Sequence, residues 1–111
     1  MESIQNDAPL VSETENETLP EHAILIDVRS PNEYKFSHLS DAILLTLNQI
    51  SEKIMEVVPD KSSAIIVYCQ SGIRSGIAKA QLNRLGYSQV FNGGGIESLS
   101  NKNRYKVVVA T

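Results

Sequence analysis

Short apolar runs that alternate with helical patterns constrain the fold of this chain more than any other feature. AILIDV (23–28), AILLT (42–46) and AIIVYC (64–69) are each followed by helical signals. A continuous apolar run rich in β-branched residues is typical of a parallel strand that helices cover on both faces. The sequence therefore predicts an α/β fold with a mostly parallel sheet of about four to five strands and helices on both faces. Two more short strands are predicted at QVF (89–91) and, at a sheet edge, YKVVVA (105–110).

A capping-box pattern directly follows the first apolar run. Ser30 can accept a hydrogen bond from the first turn of a helix, and Pro31 suits the first helical position. Glu33 can return a hydrogen bond to the cap. A short helix is therefore predicted over 31–37.

Two further helices are predicted from similar signals. Thr46 and Gln49 repeat the capping-box spacing ahead of an apolar stripe that Pro59 ends. After the third run, apolar residues recur at helical spacing over about 75–85, and Gly86 can end that helix in a left-handed turn. Each predicted helix connects one strand to the next, as parallel strands require.

Length and cysteine content restrict what can stabilise the fold. A chain of 111 residues, of which 41% are hydrophobic, is long enough for one compact domain. Its single cysteine excludes both an internal disulfide and a structural zinc cluster. Packing of apolar side chains must therefore stabilise the domain.

Charge divides the chain into two parts. The first 21 residues contain six acids and no Lys or Arg, which predicts a flexible acidic arm over 1–21, or alternatively a partner-binding tail. The remainder, 22–111, is predicted to be one domain. Its seven acids and ten bases lack the clustered basic footprint of a nucleic-acid-binding protein.

Hydropathy gives an expectation about location. No apolar stretch approaches the roughly 18 to 20 residues of a membrane span, and the N-terminus lacks a secretory pattern. A cytoplasmic protein with no membrane partner is expected, or a periplasmic one if an export signal has been removed.

The only cysteine, Cys69, ends the third apolar run. Ligands of open parallel sheets bind at the carboxyl ends of the strands, where loops meet helix N-termini. A loop through Ser71 and Gly72 can turn backbone N–H groups toward the sulfur, and Arg74 adds a cation. Such surroundings lower the pKa of a thiol, so a thiolate is expected at neutral pH. A cysteine at this place can also be an inert small hydrophobe, but a plain connection needs neither the glycine nor the arginine.

Four segments of the chain resemble one enzyme family. The loop Cys69-Gln70-Ser71-Gly72-Ile73-Arg74-Ser75 resembles the active-site loop of the single-domain rhodanese sulfurtransferases. The family's other segments are similar, in the same order, to LIDVRSPNEY (25–34), SHLSDAILL (37–45) and NGGGIESL (92–99). The resemblance covers about 22–100 and implies a rhodanese-like fold, in agreement with the predicted strands and helices.

The resemblance also implies a reaction. Cys69 would attack the outer sulfur of thiosulfate or a similar donor, become a persulfide, and pass the sulfur to cyanide, a thiol or a protein. The chain would then be a thiosulfate sulfurtransferase whose partners are a small anionic donor and a thiol or protein acceptor. No metal or organic cofactor is implied. The residues that would bind the substrate are Gln70, Ser71, Gly72, Ile73, Arg74 and Ser75.

Other functions stay open at this point. Tyrosine phosphatases have one residue more between Cys and Arg than the four of this chain, and no Asp general acid is evident. A thiol–disulfide exchanger would usually need a second cysteine. The alternative from another class is a non-catalytic rhodanese-like module that binds or regulates a partner, although such relatives usually lack the cysteine.

Four residues outside the loop are predicted to support the site. The Asp27 carboxylate is expected to accept hydrogen bonds from the backbone of the loop near the site. Arg29 is expected either to pair with Glu33, four residues later, or to face the substrate cleft. His38 is interpreted mainly as a structural donor in its turn, with a role at the site as the alternative. Gly94, within the glycine run, is expected to let the chain approach the site closely.

The chain departs from the family pattern at four positions. Ser37, Ser40 and Asp41 stand where the family has Gly, Pro and Gly, so this turn is expected to differ in shape. Leu99 stands where the family tends to have Trp, a change that bears on packing rather than on catalysis.

Overall fold

The computed structural model describes residues 18–102 and 104–110, and it confirms the predicted α/β fold. The strands of the central sheet are β1 (Ile24–Asp27), β3 (Ile43–Leu44), β4 (Ala64–Cys69) and β5 (Gln89–Gly95). Within the described residues they form a parallel sheet in the order β3-β1-β4-β5. Most of the arm predicted over 1–21 lies outside the described residues, while Leu19 packs against the domain core.

β4 is the inner strand that carries the cysteine. It pairs with β1 on one side and with β5 on the other, and its last five residues are buried. The pairing with β5 changes register between Val67 and Cys69, which places Cys69 opposite Gly95. The carboxyl end of β4 therefore brings the thiol directly beside the glycine run.

Four helices follow the strands within the described part of the chain. They are α1 (Pro31–Phe36), α2 (Ile50–Val57), α3 (Ile73–Arg84) and α4 (Ile96–Ser100). The predicted capping box of α1 is confirmed: Ser30 Oγ accepts from the Glu33 N–H at 3.2 Å, and the Ser30 N–H donates to Glu33 Oε1 at 2.9 Å. None of the helices in 18–102 and 104–110 is long and apolar enough to cross a membrane.

The predicted start of α2 at Thr46 is wrong. The Gln49 N–H donates to the Thr46 carbonyl at 2.8 Å and closes a turn, and Gln49 Oε1 accepts from the Thr46 N–H at 3.2 Å. The Thr46 side chain does not cap the helix, so only the half of the capping box made by the Gln49 side chain forms. The N-cap is Gln49, in helical backbone geometry, and α2 begins at Ile50.

A second sheet accounts for the last predicted strand. β2 (Ser37–Leu39) pairs antiparallel with β6 (Val107–Val109), and His38 lies opposite Val108. The strand itself is confirmed, but it lies outside the main sheet. Its three residues are exposed, because they pair with a short strand rather than pack under a helix.

The core lies on both faces of the sheet. Helices α2 and α3 cover one face, where Ile26, Val67, Ile54 and Leu82 belong to one apolar cluster. Helices α1 and α4 cover the other face, where Ile66, Tyr68, Leu39, Ile96 and Leu99 form a second cluster. Helices on both faces were predicted. Leu99 is fully buried, so it fills the packing position that the sequence assigns to it.

Candidate active site

One glycine makes the sharp turn that follows β4. Gly72 has a φ of +98°, and α3 begins at the next residue, two positions before the predicted start. Glycine adopts a positive φ at little cost because it has no Cβ. A Cβ at Gly72 would also lie 3.3 Å from the Gly94 Cα. The chain can therefore reverse direction after Cys69 and still pack against the end of β5.

The Cys69 sulfur is enclosed by hydrogen-bond donors. Its side chain is fully buried, and Sγ accepts from the Gly72 N–H at 2.9 Å and lies 3.5 Å from Ser75 Oγ. Burial by itself raises the pKa of the Cys69 thiol. Hydrogen bonds from Ser75, Gly72 and Ser71, among them three backbone N–H groups, outweigh burial. The pKa of the thiol therefore lies below its ordinary value, which favours the reactive thiolate.

Arg74 forms an ion pair with a residue of α1. Its Nη1 and Nη2 donate to the two carboxylate oxygens of Glu33 at 2.8 and 3.0 Å. The hydrogen bond with Arg74, assisted by those from Ser30, lowers the pKa of Glu33 to about 2. The pair is thus charged on both sides at neutral pH. Arg74, which the resemblance assigns to binding the anionic sulfur donor, therefore already has a carboxylate partner.

Asp27 and Arg29 form a second, buried pair beside the loop. Arg29 Nη2 donates to Asp27 Oδ2 at 2.8 Å, and the Arg29 N–H donates to Asp27 Oδ1 at 2.9 Å. The predicted alternative in which Arg29 pairs with Glu33 is wrong, because Arg74 occupies that carboxylate. Arg29 Nη1 instead donates to Gln70 Oε1 at 3.2 Å. The pair therefore reaches the loop through the residue that follows the cysteine.

The glycine run of β5 lies against the loop. A Cβ on Gly95 would collide with the backbone carbonyl oxygen of Gln70. Gly94 has a φ of +84°, which other residues adopt rarely. This close approach of backbone to backbone holds the first peptide of the loop in place.

Apolar side chains border the site. A cleft of about 380 Å³ beside the loop is lined by residues that include Gln70, Arg29, Glu33, Phe36 and Ile96. Phe36 is 70% exposed and Ile73, inside the loop, is 72% exposed. An exposed phenylalanine and an exposed isoleucine beside paired charges give a reacting molecule both apolar surface and hydrogen-bond donors.

Comparison with known proteins shows the family to which this chain belongs. A family model described as the rhodanese-like domain matches residues 11–102. The chain belongs to the rhodanese-like family. Its α/β fold and its loop of Cys, four residues and Arg are those that the sequence resemblance implied.

Relatives of this rhodanese-like chain carry more than one functional name. It is 41% identical over 75 residues to the thiosulfate sulfurtransferase PspE of Escherichia coli (strain K12), a match that covers 68% of this chain and 72% of the relative. A tRNA uridine(34) hydroxylase of Buchnera aphidicola is 33% identical over 74 residues, covering 63% of this chain but 24% of the relative. Sulfurtransferase names among the relatives support a rhodanese-like sulfurtransferase activity here.

A solved structure shows the same fold. The structure titled "rhodanese with anions from E. coli" has 40% sequence identity and a TM-score of 0.67. The match covers 69% of this chain and 91% of that chain. The rhodanese-like domain therefore agrees in fold with a solved rhodanese over almost the whole length of the latter.

His38 has its contacts on α1 of the rhodanese-like domain. Its ring stacks on Tyr34 with centroids 3.8 Å apart, and Nδ1 lies 2.8 Å from the Tyr34 carbonyl oxygen. Both contacts hold the ring against α1. Asp41, where the family has Gly, adopts a positive φ of 71°, a left-handed conformation that Asp tolerates better than most residues.

Two residues at this site have roles that local sequence patterns do not reveal. Glu33 completes the capping box of α1, as predicted, but its carboxylate also holds Arg74. Asn92 directly precedes the glycine run. Its Oδ1 accepts from Ser75 Oγ at 2.7 Å, and its Nδ2 donates to the Gly72 carbonyl at 3.2 Å. The only sequence signal for Asn92 was a polar residue at the end of a predicted strand.

Proposed function

We propose that this chain is a sulfurtransferase that moves sulfane sulfur from thiosulfate or a similar donor to a thiophilic acceptor through a persulfide on Cys69. The observation that carries the proposal is the Cys69 sulfur, which ends β4 beneath inward-facing N–H groups. Those groups lower the pKa of the thiol and also suit the anionic sulfur of a persulfide. The sulfurtransferase names of relatives support the same reaction.

The reaction takes place in two displacement steps. The Cys69 thiolate attacks the outer sulfur of thiosulfate, a new S–S bond forms, and sulfite leaves with the electron pair of the old one. The acceptor, such as cyanide or a thiol, then attacks the outer sulfur of the persulfide, and the Cys69 thiolate leaves. The donor thus loses one sulfur atom, the acceptor gains that atom, and the protein returns to its starting state.

Loop length supports sulfur rather than phosphate as the transferred group. The four residues 70–73 separate Cys69 from Arg74, and Gly72 turns the chain within them. The N–H of Gly72 lies 2.9 Å from Sγ, close enough to bond the first sulfur directly. A short loop whose N–H group bonds the sulfur directly suits a carried sulfur atom better than a larger tetrahedral oxyanion.

Intact mass measures the proposed intermediate. Incubation of the full chain with thiosulfate, without reducing agent, is expected to add the mass of about one sulfur atom, and cyanide is expected to remove it. Peptide mapping should place the addition on Cys69, the single cysteine. Unchanged mass, with the thiol still titratable, would contradict the proposal and favour a non-catalytic binding module.

The Arg74–Glu33 pair predicts opposite effects of two substitutions on donor binding. Arg74→Ala leaves the Glu33 carboxylate uncompensated beside the site, so KM for thiosulfate should rise. Glu33→Gln leaves the Arg74 cation uncompensated, so KM should fall. Each change should be roughly threefold to tenfold, because one unit charge near a divalent anion in partly solvated surroundings contributes on the order of 1 kcal/mol. Steady-state kinetics at low salt measures both values.

The double variant is the matched control for this prediction. Arg74→Ala combined with Glu33→Gln removes both charges, so its KM should return toward the wild-type value. A rise in KM for both single variants, together with a lower melting temperature, would instead show that the pair acts only by holding α1 against α3.

A further inference from the structure

A hydrogen-bond chain connects the nucleophile with the end of β5. Cys69 Sγ lies 3.5 Å from Ser75 Oγ, which donates to Asn92 Oδ1 at 2.7 Å. Asn92 Oδ1 also accepts from the Gly94 N–H at 2.9 Å, and Asn92 Nδ2 donates to the Gly72 carbonyl at 3.2 Å. The contacts on both ends of the amide fix its orientation, with oxygen toward Ser75.

Ser75 has one hydroxyl proton and two neighbouring acceptors. The 2.7 Å contact with Asn92 has the optimal length of an O–H···O hydrogen bond, whereas the contact with Cys69 is 3.5 Å. The proton therefore lies on the Asn92 side. In that state Ser75 Oγ offers a lone pair to Cys69, which favours the protonated thiol.

We propose that Asn92 is a positioning residue for Cys69, which acts by holding the Ser75 hydroxyl proton away from the sulfur. The inference rests on the proposed role of Cys69 as the nucleophile. The backbone N–H groups already stabilise the anion, and a thiolate becomes a weaker nucleophile as its pKa falls. By withholding one more donor, Asn92 keeps the sulfur reactive near neutral pH.

The charges around the loop stay constant when residue 92 is changed. Arg74 interacts electrostatically with Cys69 and is itself paired. A difference between variants at position 92 that disappears without the Ser75 hydroxyl therefore reports on the Ser75 proton. The charged groups that face the loop from the packed elements are Arg74 of α3, Glu33 of α1, and Asp27 with Arg29 at the end of β1.

The test is a double-mutant cycle on the full chain. The ultraviolet absorbance of the thiolate is measured against pH in the wild type, Asn92→Leu, Ser75→Ala and the double variant. The chain has one cysteine, so the signal reports Cys69 alone. Asn92→Leu leaves the Ser75 proton free to donate to the sulfur. The thiolate fraction at a pH of about 6 should then rise roughly threefold to tenfold.

The Ser75→Ala background separates this role from a merely structural one. Without the hydroxyl, replacing Asn92 by Leu should leave the thiolate fraction unchanged within error. A rise that persists in this background, or no rise when Ser75 is present, would overturn the proposal. Asn92→Ala adds no bulk and carries the same expectations if the leucine variant lacks the wild-type circular dichroism.

The readout is independent of sulfur transfer. Thiolate absorbance needs neither donor nor acceptor, so the cycle can succeed in a protein that takes no sulfur from thiosulfate. Such a combination would reject the proposed function and keep the role of Asn92. Sulfur loading by thiosulfate, together with an effect of Asn92→Leu that does not depend on Ser75, would keep the proposed function and reject the role of Asn92.

Discussion

Cys69→Ser is expected to abolish sulfur transfer and to leave the fold intact. The rate of thiosulfate-to-cyanide transfer should fall by more than roughly a thousandfold, because a serine hydroxyl is a far weaker nucleophile at neutral pH than a thiolate. The chain has no second thiol that could replace it. The standard assay with cyanide measures the loss, and intact mass should show no sulfur addition.

Stability provides the control for this substitution. The smaller oxygen takes the place of a buried sulfur that already has the Gly72 N–H and the Ser75 hydroxyl as neighbours. The free energy of unfolding should therefore change by about 1 kcal/mol or less. Transfer at a sizeable fraction of the wild-type rate in a folded Cys69→Ser protein would mean that sulfur passes directly from donor to acceptor.

The sequence predicted those parts of the fold that depend on local signals. The capping box of α1 involves residues three positions apart, and both of its hydrogen bonds form as predicted. The continuous apolar character of β4 indicated a strand covered on both faces. Cys69 could be placed at the carboxyl end of that strand for the same reason. These predictions hold because short-range propensity and burial agree along the chain.

The parts that were missed depend on contacts between distant positions. Glu33 and Arg74 are 41 residues apart, and Ser75 and Asn92 are 17 residues apart. No local pattern states which carboxylate a guanidinium meets, so the pairing of Arg29 with Glu33, four residues away, was a reasonable prediction. In the structure Arg29 instead pairs with the buried carboxylate of Asp27. Thr46 shows the same limit, since a capping-box spacing does not ensure that both of its hydrogen bonds form.

Gly95→Ala is expected to remove most of the activity and to destabilise the domain. Gly95 has φ −93° and ψ 158°, an extended conformation that alanine adopts readily. The effect is therefore steric: the new Cβ would collide with the Gln70 carbonyl oxygen and lie 3.1 Å from its carbonyl carbon. Both atoms belong to backbone, so the loop must move. Overpacking of this kind costs about 1–3 kcal/mol, and transfer should fall at least tenfold because the loop carries the N–H donors.

Gly76→Ala is the matched control, since it adds the same methyl group within α3. Its Cβ would meet only the Asn92 side-chain nitrogen at 3.4 Å, an ordinary contact. Alanine in a helix interior is about 0.5–1 kcal/mol more favourable than glycine, so this variant should be as stable as the wild type or more so. Urea denaturation and the transfer assay compare the two proteins. Equal stability and equal rates for both variants would show that the loop yields easily, and that the close approach of β5 does not hold the sulfur in its reactive position.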